Sequence, residues 1–256
     1  MSTPSNDILT HTEAGVLTIT LNRFDKKNSI TSAMYGAMAD ALAAGALDAA
    51  VRVAVLQGHE AVFSAGNDIG DFLAENQRQS EGARSGPGGE FIRTLARFDK
   101  PLLAAVEGPA VGVGTTMCLH CDLVYAAPSA RFAMPFVNLG LVPEAGSSLL
   151  VPRRFGLGIA SQLLLLGEAI DAARAREIGL VAEIVAPEAL KAHALARAKA
   201  LAAKPRAALM ATRKLMRGDS ETLYAHMEEE LVAFGRALKS PEARAAFEAF
   251  AGRAKG

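Results

Sequence analysis

The sequence predicts an α/β protein with a mainly parallel sheet covered on both faces. Three observations carry this. Short, mostly apolar strand-like runs alternate with helical patterns through the first two thirds of the chain. Glycine-containing turns follow several of those runs. From Ile159 onward the composition turns helical, rich in Ala, Leu, Arg and Glu. A chain of 256 residues, half of them hydrophobic, suits one large domain or a core with a smaller appendage.

Taken in order, Val16 to Leu21 (VLTITL) is β-branched and apolar, which predicts a strand. Thr31 is placed to cap a helix whose apolar residues Met34, Met38 and Leu42 recur at helical spacing. Val51 to Gln57 predicts a second strand, ended by Gly58, and Leu102 to Val106 a third, followed by a turn at Glu107-Gly108-Pro109. A short helix is expected after Gly112 and Gly114, and Leu123 to Ala126 predicts a fourth strand. Residues 76–89 hold several Gly with Gln, Ser and Arg and lack apolar periodicity, so a mobile loop is expected. A plain insertion and a flap over a binding site both fit it. In the helical remainder, broken by Gly167, Gly179, Pro187, Pro205, Gly218 and Pro241, Val181 to Val185 is the one β-like stretch. The division falls near residue 188, with 1–188 as core and 189–256 as a separate helical lobe or oligomer contact.

Composition excludes several functions. The 27 basic and 27 acidic residues balance, and no basic block points to nucleic acid or an anionic membrane. No apolar run approaches membrane-spanning length, and the polar Met1 to Asp7 does not read as a signal peptide, so a cytoplasmic location is expected. Cys118-Leu119-His120-Cys121 lacks a second ligand cluster and reads as buried, inert thiols, so no metal is expected. Gly112-Val113-Gly114 is an incomplete dinucleotide motif, and neither a Walker loop nor a Gly-x-Ser-x-Gly elbow is present.

The informative features are three turns: Phe63-Ser64-Ala65-Gly66-Asn67-Asp68-Ile69, residues 108–115, and residues 139–148 around Glu144. Small residues let main-chain N–H groups approach a ligand closely. Glu144 lies among Val142, Pro143, Ala145 and Gly146, where desolvation would raise its pKa toward that of a general base. A carboxylate favouring a helix N-terminus fits the same residues.

These turns resemble the crotonase (enoyl-CoA hydratase/isomerase) superfamily. Leu21-Asn22-Arg23 with Asn28 is similar to its N-terminal signature, with Phe24 in place of proline. FSAGNDI, residues 101–122 and Arg131-Phe132-Ala133 continue the similarity. The resemblance implies a spiral of ββα units and a C-terminal helical region that builds trimers or pairs of trimers. It implies an acyl-CoA substrate, with no cofactor beyond the coenzyme A of that thioester. The thioester oxygen would rest between the N–H groups of Asn67 and Val113. Ala65, Gly66, Asn67, Asp68 and Ile69 would line the coenzyme A path, with Arg23 and Lys26 near its charged end.

The positions of the two glutamates used by the family's hydratases correspond to Thr116 and Phe136, neither of which does acid–base work. Pro143-Glu144-x-x-Ser147-Ser148, and Asp71-Phe72 after Asp68, are similar to the peroxisomal type of Δ3,Δ2-enoyl-CoA isomerase. That branch uses the glutamate at the position of Glu144 as its base. The implied activity is double-bond isomerisation in fatty-acid β-oxidation. A hydratase and a non-catalytic acyl-CoA-binding protein are the alternatives.

Overall fold

A computed structural model describes residues 7–59, 61–72 and 86–253, with side chains up to residue 249. The main sheet has six strands in the order β1 (Ile8–Glu13), β2 (Val16–Leu21), β3 (Val53–Gly58), β4 (Leu102–Val106), β6 (Leu123–Ala126) and β9 (Glu183–Ile184). Among the described residues of this sheet the β1–β2 hairpin alone is antiparallel, and its other pairings are parallel. A smaller sheet joins β5 (Pro109–Val111), β7 (Arg131–Ala133) and β8 (Ile170–Asp171).

Strand alternation sends side chains to two buried layers. Ile19, Leu21, Ala54, Leu56, Ala104 and Val106 meet helices α1 (Ser32–Leu47) and α2 (Pro87–Arg97) in the larger core. Val16, Val53, Val55, Leu103 and Tyr125 face the other way, onto α7 (Pro187–Ala202). That helix presents Leu190, Ala194, Ala198 and Ala202 four residues apart, and the three alanines let it lie close to the strands. Thr31 caps α1 as expected, its hydroxyl accepting from the Met34 N–H at 3.3 Å. At the other end the buried Lys100 ammonium donates to the Gly45 and Asp48 carbonyls at 2.7 and 2.6 Å, meeting carbonyls the helix leaves free.

The expected strands at 16–21, 102–106 and 123–126 form with those bounds. The second begins two residues later than expected, at Val53. The expected turn at 107–109 is corrected at its last residue: Pro109 opens β5, because Ser64 and Arg131 pair with the segment from either side. Most of the loop expected over residues 76–89 lies outside the described residues. Residues 87–89 are the first turn of α2, with Pro87 at a position that loses no hydrogen bond.

The chain ends in α8 (Arg206–Arg217), α9 (Ser220–Leu238) and α10 (Pro241–Arg253). Phe234 and Phe247 from α9 and α10 meet the ring of Phe72, just past the FSAGND turn, with centroids 6.1 and 6.2 Å away. The C-terminal helices therefore pack against the end of the molecule that carries the Gly-containing turns.

Candidate active site

The first two turns are laced together by main-chain bonds. Ser64 N–H donates to the Pro109 carbonyl at 2.9 Å, and Val111 N–H returns to the Ser64 carbonyl at 3.0 Å. Gly66 sits at φ +90°, and a Cβ there would stand 2.9 Å from the Val111 oxygen. Gly114 is equally confined, its Cβ position 3.1 Å from the Ser64 oxygen. Asn67 follows Gly66, and Val113 opens helix α3 (Val113–Leu119). Among the described residues neither the Asn67 nor the Val113 N–H has an acceptor. For Val113 the reason is general: the first N–H groups of a helix have no partner within it.

The Asn67 side chain is fixed by Tyr35 of α1, whose hydroxyl donates to Asn67 Oδ1 at 2.5 Å. Asp68 accepts from Arg23 at 2.8 Å, and the same guanidinium donates to the Ser29 hydroxyl and carbonyl. Arg23 thus braces the turn through a local ion pair, while Lys26 stands exposed. Asp71 accepts from the Ser32 N–H and hydroxyl at 2.6 and 2.7 Å, tying this segment to the start of α1.

The third turn supplies the acid. Glu144 is 6% exposed. Thr116, one turn into α3 from Val113, donates its hydroxyl to Glu144 Oε1 at 2.5 Å. Phe136 is buried, with Cε1 3.9 Å from the position of a Cβ on Gly112. Burial pushes the Glu144 carboxyl up to about 8; the Thr116 hydrogen bond opposes this and the negative charge of Glu230 adds to it. Burial, reinforced by the charge of Glu144, also raises Tyr35. The turn is built from two successive left-handed residues, Ala145 at φ 57° and Gly146 at φ 72°. His120 Nε2 lies 2.8 Å from the Ala145 carbonyl, so this nitrogen carries the ring proton and donates it. Burial lowers the His120 pKa to about 4, which keeps the ring neutral.

The arrangement offers a buried carboxyl of raised pKa bonded to the Thr116 hydroxyl, one helical turn from the free N–H of Val113, with the Phe136 ring near Gly112. The whole stretch from residue 11 to 256 matches the family described as enoyl-CoA hydratase/isomerase. The chain belongs to the enoyl-CoA hydratase/isomerase family. It is 37% identical to enoyl-CoA delta isomerase 2 of Rattus norvegicus over 229 residues, 88% of this chain and 58% of the rat protein. It is 32% identical to 2,3-dehydroadipyl-CoA hydratase of Escherichia coli K12, over 90% of this chain and 89% of that one. A solved structure of Pseudomonas aeruginosa OdaA superposes with a TM-score of 0.91 at 43% identity, covering 96% of this chain and 99% of that one. The crotonase-type fold expected from the sequence is therefore present. Isomerases and hydratases both stand among the relatives, so family membership leaves the choice between them to the site.

Within this family frame, the sequence-chosen residues fall on adjoining turns: Ala65 to Ile69 and Val113 through the Ser64 contacts, and Glu144 through Thr116. Cys118 and Cys121 are buried, and burial pushes the Cys118 thiol up to about 12. Among the described residues no group of three or more His, Cys, Asp and Glu is placed to hold a metal, and no helix is long and apolar enough to cross a membrane. Sequence reasoning missed Tyr35, His120 and Glu230. Tyr35 lies in an ordinary helical pattern, His120 was read with the cysteines, and Glu230 ends a run of three glutamates that reads as a solvated face.

Proposed function

We propose that the protein is a Δ3,Δ2-enoyl-CoA isomerase acting on unsaturated acyl-CoA thioesters in β-oxidation. The observation that carries this reading is the buried carboxyl of Glu144, hydrogen-bonded to a threonine at the position where hydratases hold their first glutamate. Water addition needs groups to orient and activate water, and neither Thr116 nor Phe136 is ionisable near neutral pH. Isomerisation needs one movable proton and a place for negative charge.

Glu144, ionised, takes a proton from C2 of a 3-enoyl thioester. The electron pair delocalises over the alkene and the thioester carbonyl, whose oxygen accepts from the N–H groups of Asn67 and Val113. The Glu144 carboxylic acid then returns the proton at C4, giving the conjugated 2-enoyl product. Thr116 serves both states of the base. It donates to the carboxylate, and when Glu144 is protonated it accepts from it and turns its own proton to the Val113 carbonyl, 3.4 Å away. The coenzyme A moiety runs along Ala65, Gly66, Asn67, Asp68 and Ile69, with Arg23 and Lys26 toward its charged end. The working form is a trimer or a pair of trimers, assembled through the helices after residue 188.

The test supplies 3-enoyl-CoA and follows conjugation by ultraviolet absorbance. Glu144→Gln is expected to lower kcat by about 10²–10⁴-fold, the usual range for a general acid–base group. Undiminished turnover in this variant removes Glu144 from its role. A mass gain of 2-enoyl-CoA in oxygen-labelled water, at a rate matching conjugation, favours hydration instead.

A further inference from the structure

The turn that carries Glu144 is held from the C-terminal helices. Glu230 of α9 is 6% exposed, yet it accepts from the Gly146 N–H at 2.5 Å, the Ser148 N–H at 2.9 Å and the Ser148 hydroxyl at 2.5 Å. Gly146 and Ser148 stand at the start of α4 (Ser147–Phe155), whose own cap residue has no side chain to meet the free N–H groups. A Ser or Asp at 146 would cap locally. That solution is closed, because residue 146 sits at φ +72° and a Cβ there would lie 2.5 Å from Leu223 Cδ1. The cap is supplied instead by a carboxylate 84 residues away in sequence.

The groups facing Glu230 define its charge state. From α4 and its cap come two N–H donors and a hydroxyl. From its own helix comes His226, whose Nε2 is 3.7 Å from Glu230 Oε1 and 2.7 Å from Ser148 Oγ. Ser148 has one proton and gives it to Glu230, so His226 donates to the Ser148 oxygen. Glu144 belongs to the same turn, two residues before Gly146. Among the described residues no Lys or Arg pairs with Glu230. Three donors and no acceptor fit an ionised carboxylate.

We propose that Glu230 is a positioning residue for the proton transfer: it clamps the 144–148 turn through the start of α4 and so fixes the place of the Glu144 carboxyl. The inference rests on the reading of Glu144 as the base. The charge of Glu230 also raises the Glu144 pKa, in addition to burial. A stronger base in the resting enzyme suits abstraction of a weakly acidic C–H proton.

The experiment compares wild type, Glu144→Gln and Glu230→Gln in the conjugation assay across pH 5–10. Glu230→Gln is expected to lower kcat about tenfold with KM within about twofold. The acidic limb of kcat/KM should move down by about half a pH unit, since a like charge near the base is removed. A merely structural role would leave that limb in place. Wild-type kcat with an unshifted limb in Glu230→Gln overturns the inference while Glu144→Gln remains inactive. Full activity of Glu144→Gln overturns the underlying reading itself. Should Glu230→Gln fail to fold, Ser148→Ala carries the test. A fall in kcat of about threefold at constant KM supports the clamp, and unchanged kcat overturns it.

Discussion

At the scale of single residues, the proposed chemistry and the stability of the fold both meet at Glu144. Its carboxyl titrates near 8 against an ordinary 4.5 because burial penalises the anion. In the proposed reaction the base is the ionised form, so kcat/KM is expected to rise with pH and level off above about 8, checked by a pH profile on the free enzyme. Thr116→Val removes the hydrogen bond that favours the anion, and the acidic limb should move up by about one pH unit. Stability runs the other way. Below about 4.5 the carboxyl is protonated in both folded and unfolded chains and costs nothing. Between that value and 8 the unfolded chain ionises while the folded one stays protonated, so stability falls as pH rises, and the loss is complete above 8. Linkage puts the full cost at up to about 5 kcal/mol. Thermal unfolding of Glu144→Gln should therefore show a higher Tm than wild type at pH 8.5, with the margin shrinking toward pH 5. The site residues legible in the sequence were those in short local patterns, FSAGND and Pro143-Glu144. Glu230 was not, because its partners Gly146 and Ser148 lie more than 80 residues earlier and nothing within α9 distinguishes it from Glu228 or Glu229.

At the scale of elements, the first two turns act as one unit, held by the Ser64 pairing with Pro109 and Val111. Gly66→Ala tests this directly. The φ of +90° disfavours a side chain, and the new Cβ would press on the Val111 oxygen at 2.9 Å. Expected are a loss of about 1–3 kcal/mol in chemical denaturation and a fall in kcat larger than the rise in KM, since the Asn67 N–H moves with its neighbour. Strands β2, β4 and β6 were readable because each is a continuous apolar or β-branched run. Strand β1, ILTHTE, was not, because its outward residues are exposed and its periodicity is weak. Three-residue strands β5 and β7 were missed for another reason. Their pairing partners are each other, Ser64 and β8, residues distant in sequence, and three residues carry no period.

At the scale of the whole molecule, the C-terminal helices pack against the Gly-containing turns and also leave apolar side chains exposed. Helix α8 shows this most plainly. Arg213 and Arg217 turn inward, both bonded to Asp122 at 2.8 Å, with Arg213 also donating to the Phe98 and Asp99 carbonyls and Arg217 to that of His120. Their charges anchor the helix to the core, and Leu215 and Met216 between them are 84% and 80% exposed. Leu157, Leu165 and Leu166 are likewise exposed. Apolar side chains left exposed among the described residues are what an assembly between copies would bury. Sedimentation equilibrium of the wild type is expected to give three or six copies. Leu215→Glu with Met216→Glu should shift the distribution toward monomer at micromolar concentration, while circular dichroism retains the folded signature. Because Phe72, beside the FSAGND turn, packs on α9 and α10, and Glu230 of α9 holds the Glu144 turn, loss of assembly should also lower kcat. A monomeric variant with full kcat would separate the two sides of the C-terminal helices, leaving the site dependent on contacts within one chain alone.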